Sequence, residues 1–159
     1  MAEQPGRSSL GAGPAARETS PMTPGGPVLE DLPVGECLRL LATAPVGRIV
    51  YTRQALPAVE PVNFMLHDGS VVIRTDAGGK LAAATRHAVV AFQADDLDPA
   101  TQSGWSVTVV GQCLEVTSAG EIGGLRRLGL RSWAPGTREH FIRIVPGIVT
   151  GRRLRPAQG

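Results

Sequence analysis

The chain breakers of this sequence constrain its fold more than any other feature. From Gly47 onward the β-branched and apolar runs are short, and most are closed by proline, by glycine or by an Asp-Gly pair. "GRIVYT" (47–52), "LPAVEPVNFML" (56–66), "VVIRT" (71–75), "AVVAFQAD" (88–95) and "GWSVTVVGQCLEVTS" (104–118) have strand composition. "HDGS" (67–70) predicts a hairpin between the second and third of these, with His67 in the turn. The prolines of "LPAVEPV" disfavour a helix there. The run from Gly104 is long enough for one bent strand, with Gly111 as a bulge or close-approach point. "HFIRIV" (140–145) and "GIVTGRRL" (147–154) read as two further strands divided by Pro146-Gly147. The acidic "ADDLD" (94–98) reads as a solvated loop after a strand.

Helical signals are fewer. In "PVGECLRLLATA" Val34, Cys37, Leu38 and Leu41 recur at helical spacing; Asp31 is the expected N-cap, and Pro45 and Gly47 form the stop. "GKLAAATR" (79–86) has the propensity of a short helix. "SAGEIGGLRRLGL" (118–130) opens on Ser118 and Glu121, a capping-box pair. Strands do not alternate with long helices, which disfavours a doubly wound parallel sheet. The expected fold is mainly β with flanking helices, a small antiparallel barrel with helices at its ends.

At 159 residues a single domain is expected. Residues 1–28 are mostly Gly, Pro, Ser and Ala and have little apolar surface to offset the entropy of ordering. The expected organisation is a disordered N-terminal tail over 1–28, a domain over 29–155 and a short C-terminal tail over 156–159. No apolar run reaches membrane-spanning length, and the N-terminus has no hydrophobic signal core. Cys37 and Cys113 read as reduced thiols packed as small apolar groups, which suits the cytoplasm. His67, His87 and His140 lack metal-ligand spacing, so no metal is expected. No G-x-S-x-G elbow is present, and no carboxylate pair outside "ADDLD", so a hydrolase has no support and no catalytic acid or base stands out. Eight arginines against one acid, Glu139, lie between Arg126 and Arg155, yet the net charge of +2 and the few aromatics do not describe a nucleic-acid binder.

The charge pattern singles out one place. Lys80 is the only lysine beside fifteen arginines, and it follows Gly78-Gly79 at a helix start. Arg74 and Thr75 end the strand before it. Glycines permit close backbone approach, helix-start amides favour an anion, and Arg74, Thr75 and Lys80 add donors and charge, so the segment reads either as a phosphate cradle or as a glycine turn with a solvated lysine. Asn63 lies within an apolar strand and either meets a heteroaromatic edge or faces water. Trp105 is either core packing or a stacking surface for a planar cofactor. Trp133, flanked by Arg131 and Arg138 before a Pro135-Gly136 turn, either closes over a ligand or anchors its loop.

Together "ECLRLLATAPVGRIVY", "PAVEPVNFMLHDGSVVIRTDAGGKLAAA", "VAFQADDLD", "GWSVTVVGQCLEV" and "RIVPGIVTGRR" resemble, in order and spacing, the pyridoxamine 5′-phosphate oxidase-like, FMN-binding split-barrel family, closest to its short actinobacterial-type members. The resemblance spans about Leu29 to Leu154. It implies a six-stranded antiparallel split β-barrel and a homodimer with FMN in grooves between subunits. It implies flavin-phosphate contacts at Arg74, Thr75 and Lys80, ring contacts at Val62, Asn63 and Phe64, and cofactor contacts at Trp105 and Ser106, often from the partner subunit. A small-molecule substrate would sit on the exposed ring face near Trp133 and Arg138. The chain ends "VTGRRLRPAQG" without the Arg-Leu-His-type motif that holds the substrate phosphate in the vitamin oxidases, so that activity is not expected. The expected function is an FMN-dependent oxidoreductase; the alternatives on the same fold are a non-catalytic flavin-binding or storage module and a deazaflavin-dependent reductase.

Overall fold

The computed structural model describes residues 25–76 and 79–157. Its elements in chain order are β1 (Val28–Asp31), α1 (Val34–Leu41), β2 (Val46–Arg53), β3 (Leu56–His67), β4 (Ser70–Thr75), α2 (Lys80–Thr85), β5 (Val89–Asp98), β6 (Ser103–Glu115), α3 (Ala119–Arg127) and β7 (His140–Arg155). All strand pairings are antiparallel. The order β7-β4-β3-β2-β5-β6 closes on itself through a β6–β7 ladder, giving a ring of six strands with β1 added to the end of β7. This is the mainly β, split-barrel architecture expected above. No helix among the described residues is long and apolar enough to cross a membrane.

Local chemistry explains most of these elements. The β3–β4 turn is Asp68-Gly69 with φ of 48° and 73°, both left-handed, as a two-residue turn matched to the strand twist requires. His67 is the last residue of β3, paired with Ser70, rather than part of the turn. In β6 the register shifts between Val110 and Gly111, where Pro146 comes opposite. There the β7 backbone approaches so closely that a Cβ on Gly111 would lie 1.9 Å from the Val145 carbonyl oxygen. At α3 the Ser118 hydroxyl accepts from the Glu121 amide at 3.4 Å, but the Glu121 carboxylate pairs with Arg143 of β7 instead of returning to cap Ser118.

Three expectations are corrected. Pro146-Gly147 does not divide two strands: β7 runs through it as one strand of 16 residues, because β7 bulges there, with Gly111 opposite Pro146, Val110 opposite Ile148 and Gly147 as the extra residue. "ADDLD" is not a loop: β5 continues to Asp98, since the long β6 supplies partners from Trp105 to Ser103. Asp98 then accepts from the Ala100 amide and the Thr101 hydroxyl to close the turn, which lowers its pKa. Asp31 does not cap α1: it ends β1 opposite Arg152, and the N-cap position is Pro33, with no side-chain cap. β1 begins at Val28, at the expected border of the N-terminal segment, of which residues 1–24 lie outside the described residues.

The barrel interior holds Ile49, Val71, Ile73, Phe92, Val107, Val109, Ile142 and Ile144, each essentially without solvent contact, and Cys37, Leu40 and Leu41 of α1 pack onto the same cluster. A smaller cluster of Val72, Val116, Leu125 and Phe141 packs α3 against the outside of β4 and β7.

Candidate functional site

The ring has one built-in discontinuity. Residues 56–63 of β3 pair with β2, and residues 64–67 pair with β4. The strand changes partner between Asn63 and Phe64, so from Leu56 to Asn63 one side of β3 has no strand beside it. Pro57 and Pro61 blunt that edge by removing outward donors. A cavity of about 730 Å³ opens against it. Its walls are Glu60 to Asn63 of β3, Arg74, Thr75 and the following Asp76, Gly79 and Leu81 at α2, and Ser132 to Ala134 with Arg138 from the loop after α3.

Hydrogen bonds to the loop position several of these groups. Arg74 donates to the carbonyl oxygens of Arg138 and, at 3.2 Å, of Leu130, and its guanidinium lies 5.7 Å from the Phe141 ring centroid. Asn63 donates to the Pro45 carbonyl at 3.2 Å and accepts from the Trp133 amide at 2.8 Å. The Trp133 side chain is left 73% exposed at the cavity rim. Arg138 donates to Asp76 Oδ1 at 2.9 Å, while its Nε is buried with no partner among the described residues. The Tyr51 hydroxyl donates to Glu60 Oε1. Burial, then that bond, push the phenol pKa up.

Of the residues expected at the site, Val62, Asn63, Arg74, Thr75, Trp133 and Arg138 line this cavity. Lys80 opens α2 between two lining residues, and its side chain lies outside the described residues. Phe64 is turned into the barrel core, edge-on to Phe92 at 4.6 Å. Trp105 and Ser106 lie elsewhere in the chain and do not line this cavity. Trp105 is buried between Asp96 and Arg153, and Ser106 borders a separate cavity of about 490 Å³ beside Thr150 and Arg152. Glu60, Tyr51 and Asp76 were not singled out in the sequence. For Glu60 the available signal was its place two residues before Val62, which puts both on the same face of β3.

No group of three or more metal-ligating side chains occurs among the described residues. Both thiols are buried, and burial raises their pKa, so neither is an activated nucleophile. What the cavity offers is apolar wall from Val46, Val62, Leu81 and Trp133, a guanidinium with a spare donor, and one carboxylate on each side.

Comparison with known proteins agrees with this geometry. The sequence profile of the pyridoxamine 5′-phosphate oxidase family matches residues 33–153. The chain is 40% identical over 146 residues to the protein Rv0080 of Mycobacterium tuberculosis, covering 89% of this chain and 94% of that one. A FAD-binding protein from Mycobacterium smegmatis is similar in structure, with 34% identity, a TM-score of 0.65, and 79% of this chain and 97% of that chain covered. A pyridoxamine 5′-phosphate oxidase-like protein from Corynebacterium glutamicum is 32% identical, with a TM-score of 0.72 and 80% and 99% covered. A profile that runs from α1 into β7, relatives matched over nearly their full length, and a six-stranded ring that opens where β3 changes partner lead to one conclusion: this chain belongs to the pyridoxamine 5′-phosphate oxidase family of flavin-type split barrels.

Proposed function

We propose that the protein is a flavin-nucleotide-dependent oxidoreductase that binds FMN in the cavity along the free edge of β3. The observation that carries this reading is the Nε of Arg138, buried and without a partner among the described residues, in a cavity that sets apolar Val62, Leu81 and Trp133 against the Arg74 and Arg138 guanidiniums, with Asp76 paired to Arg138. A buried donor without an acceptor is uncommon in folded proteins and fits an anionic or carbonyl oxygen of a ligand. Bound flavin supplies the hydride or electron transfer; the chain supplies orientation and anchoring. In this reading Val62 and Asn63 border the ring, while Arg138, Thr75 and Lys80 meet the phosphate. Arg74, already engaged by two loop carbonyls, holds the loop that carries Arg138 and Trp133.

A second reading, FAD, is favoured by the FAD-binding protein of M. smegmatis. Chromatography of the flavin released by mild denaturation separates the two and also detects a deazaflavin. Anaerobic bleaching by reduced nicotinamide, with recovery on adding an acceptor, separates an enzyme from a storage module. Lys80→Ala is expected to weaken flavin binding by about 1.5 to 3 kcal/mol, the scale of a hydrogen bond to a charged group. Equal affinities in variant and wild type would remove the phosphate anchor from this helix start.

We further propose a homodimer that completes the site, with Trp105 and Ser106 reaching the partner's cofactor. The support is an outward-facing apolar row across five strands: Val59, Val50, Ala91, Val110 and Ile148 are consecutive cross-strand partners. Val59 and Ile148 at its ends are 59% and 60% exposed. Contiguous apolar surface of this kind marks association. The two buried free thiols accord with a reducing cytoplasm.

A further inference from the structure

β4 ends at Thr75, and Asp76 is the first residue beyond it. The Asp76 carbonyl accepts from the Gly79 amide at 3.1 Å, which fixes Asp76 at the entry to α2. Its side chain turns the same way: a Cβ on Gly79 would lie 3.5 Å from Asp76 Oδ1. From the opposite wall Arg138 Nη1 donates to that same oxygen at 2.9 Å. The carboxylate therefore lies between the head of α2 and the Arg138 guanidinium. The Asp76 side chain is 60% exposed, against 24% for Arg138. A carboxylate so open to water is satisfied without a partner, whereas a guanidinium largely withdrawn from water is not.

Arg138 is fixed at both ends. Its carbonyl accepts from Arg74, and its guanidinium meets Asp76. The other acids around the site are engaged elsewhere. Glu139, next in the chain, pairs with Arg126, Glu60 accepts from Tyr51, and Glu115 accepts from Arg86. Among the described residues Asp76 is the acid bonded to Arg138, and the bond leaves Nε of the same guanidinium over. A carboxylate thus stands where the flavin reading puts the phosphate: on Arg138, at the start of α2.

We propose that Asp76 is an internal anion surrogate and the specificity-determining residue of this site: in the free protein its carboxylate holds the Arg138 guanidinium, a bound phosphate takes that guanidinium over, and the exchange sets how strongly the site prefers a phosphorylated flavin to an unphosphorylated one. Two effects act in the same direction. Phosphate oxygens compete with Asp76 Oδ1 for the Arg138 Nη1 donor. A phosphate monoester carries about −1.5 to −2 charges at pH 7, and a carboxylate at the same spot repels it. Both weaken the grip on phosphate, and neither acts on the neutral chain of riboflavin. In the free protein the same carboxylate keeps a half-buried cation from standing uncompensated and holds it in place for the ligand.

This inference rests on the flavin reading for the identity of the ligand. The test is calorimetric titration of the full-length, flavin-stripped protein with riboflavin 5′-phosphate and, separately, with riboflavin. Wild type and Asp76→Asn are compared, because the amide keeps the shape and removes the charge. Asp76→Asn is expected to bind riboflavin 5′-phosphate about five- to tenfold more tightly than wild type, the scale of a partly exposed charge pair acting on a doubly charged group. Its affinity for riboflavin is expected to stay the same. The gain is expected to shrink between about 0.05 M and about 0.5 M salt, which a change of packing alone does not do. Unchanged or weaker binding of riboflavin 5′-phosphate by the variant overturns the inference and leaves flavin binding standing. So does an equal gain for both flavins, which reports added room rather than removed charge. If Asp76→Asn does not fold, Asp76→Ser is read by the same outcomes. A wild type that binds neither flavin overturns the flavin reading, and this inference falls with it.

Discussion

At position 111 there is room for a hydrogen and nothing larger. An added Cβ would meet the Val145 carbonyl oxygen at 1.9 Å and its carbon at 2.8 Å, and both are backbone atoms of the strand that closes the ring. Gly111→Ala is expected to destabilise the fold by about 2 to 3 kcal/mol, the upper range of overpacking penalties, read as a lowered denaturation midpoint. Gly35→Ala in α1 meets nothing within 4 Å and is the opposite case, with an expected gain of about 0.5 kcal/mol from reduced freedom of the unfolded chain. Gly111 was legible in the sequence because a glycine inside a strand pattern has few explanations. Asn63 was only half legible. Its strand and its polarity were plain, but its partner is the amide of Trp133, 70 residues away, and no local pattern reports such a contact. Arg74 was marked as a phosphate ligand for its charge; the loop that turns back to it gives its donors another use.

Among the elements, α1 shows how a short helix is fixed to a barrel. Its Glu36 accepts from Arg39 one turn on and from Arg153 of β7, each at 2.6 Å. These two guanidiniums hold the Glu36 carboxyl down at about 2. Its folded pKa lies below its unfolded value, so the stability it contributes is present above about pH 4.5 and is lost as pH falls toward about 2. Glu36→Gln is expected to melt lower than wild type at neutral pH, with the gap closing as the solution is acidified through that range. A gap that stays constant down to pH 2 would show that the ion pairs do not hold the helix. Secondary structure at this scale was read well where the signal was local: the Asp68-Gly69 turn, the Ser118 cap and the alanine-rich α2. It failed where a neighbouring strand decided. β5 continues through its acidic end because β6 is there to pair with it, and β7 passes through Pro146-Gly147 because it bulges at Gly147 and stays paired with β6 on both sides.

For the whole molecule, the proposed homodimer would bury the outward row from Val59 to Ile148. Ile148→Asp places a charge at its exposed end, and light scattering on that variant is expected to give the monomer mass where wild type gives a dimer. Flavin affinity should fall with it if Trp105 and Ser106 reach across. Retained dimer mass would remove this face from the interface.

The sequence by itself determined the mainly β, antiparallel class of the fold, the Asp68-Gly69 hairpin turn and the close-approach glycine, because turn chemistry and strand patterning act over a few residues. Tertiary structure alone decided where β3 leaves β2 for β4, which guanidinium keeps a spare donor, and that Glu60 and Tyr51 share one face behind the cavity. Those depend on ladder register and on a loop returning from the far end of the chain, and contacts at that separation are set by the packing of the closed ring rather than by any local stretch.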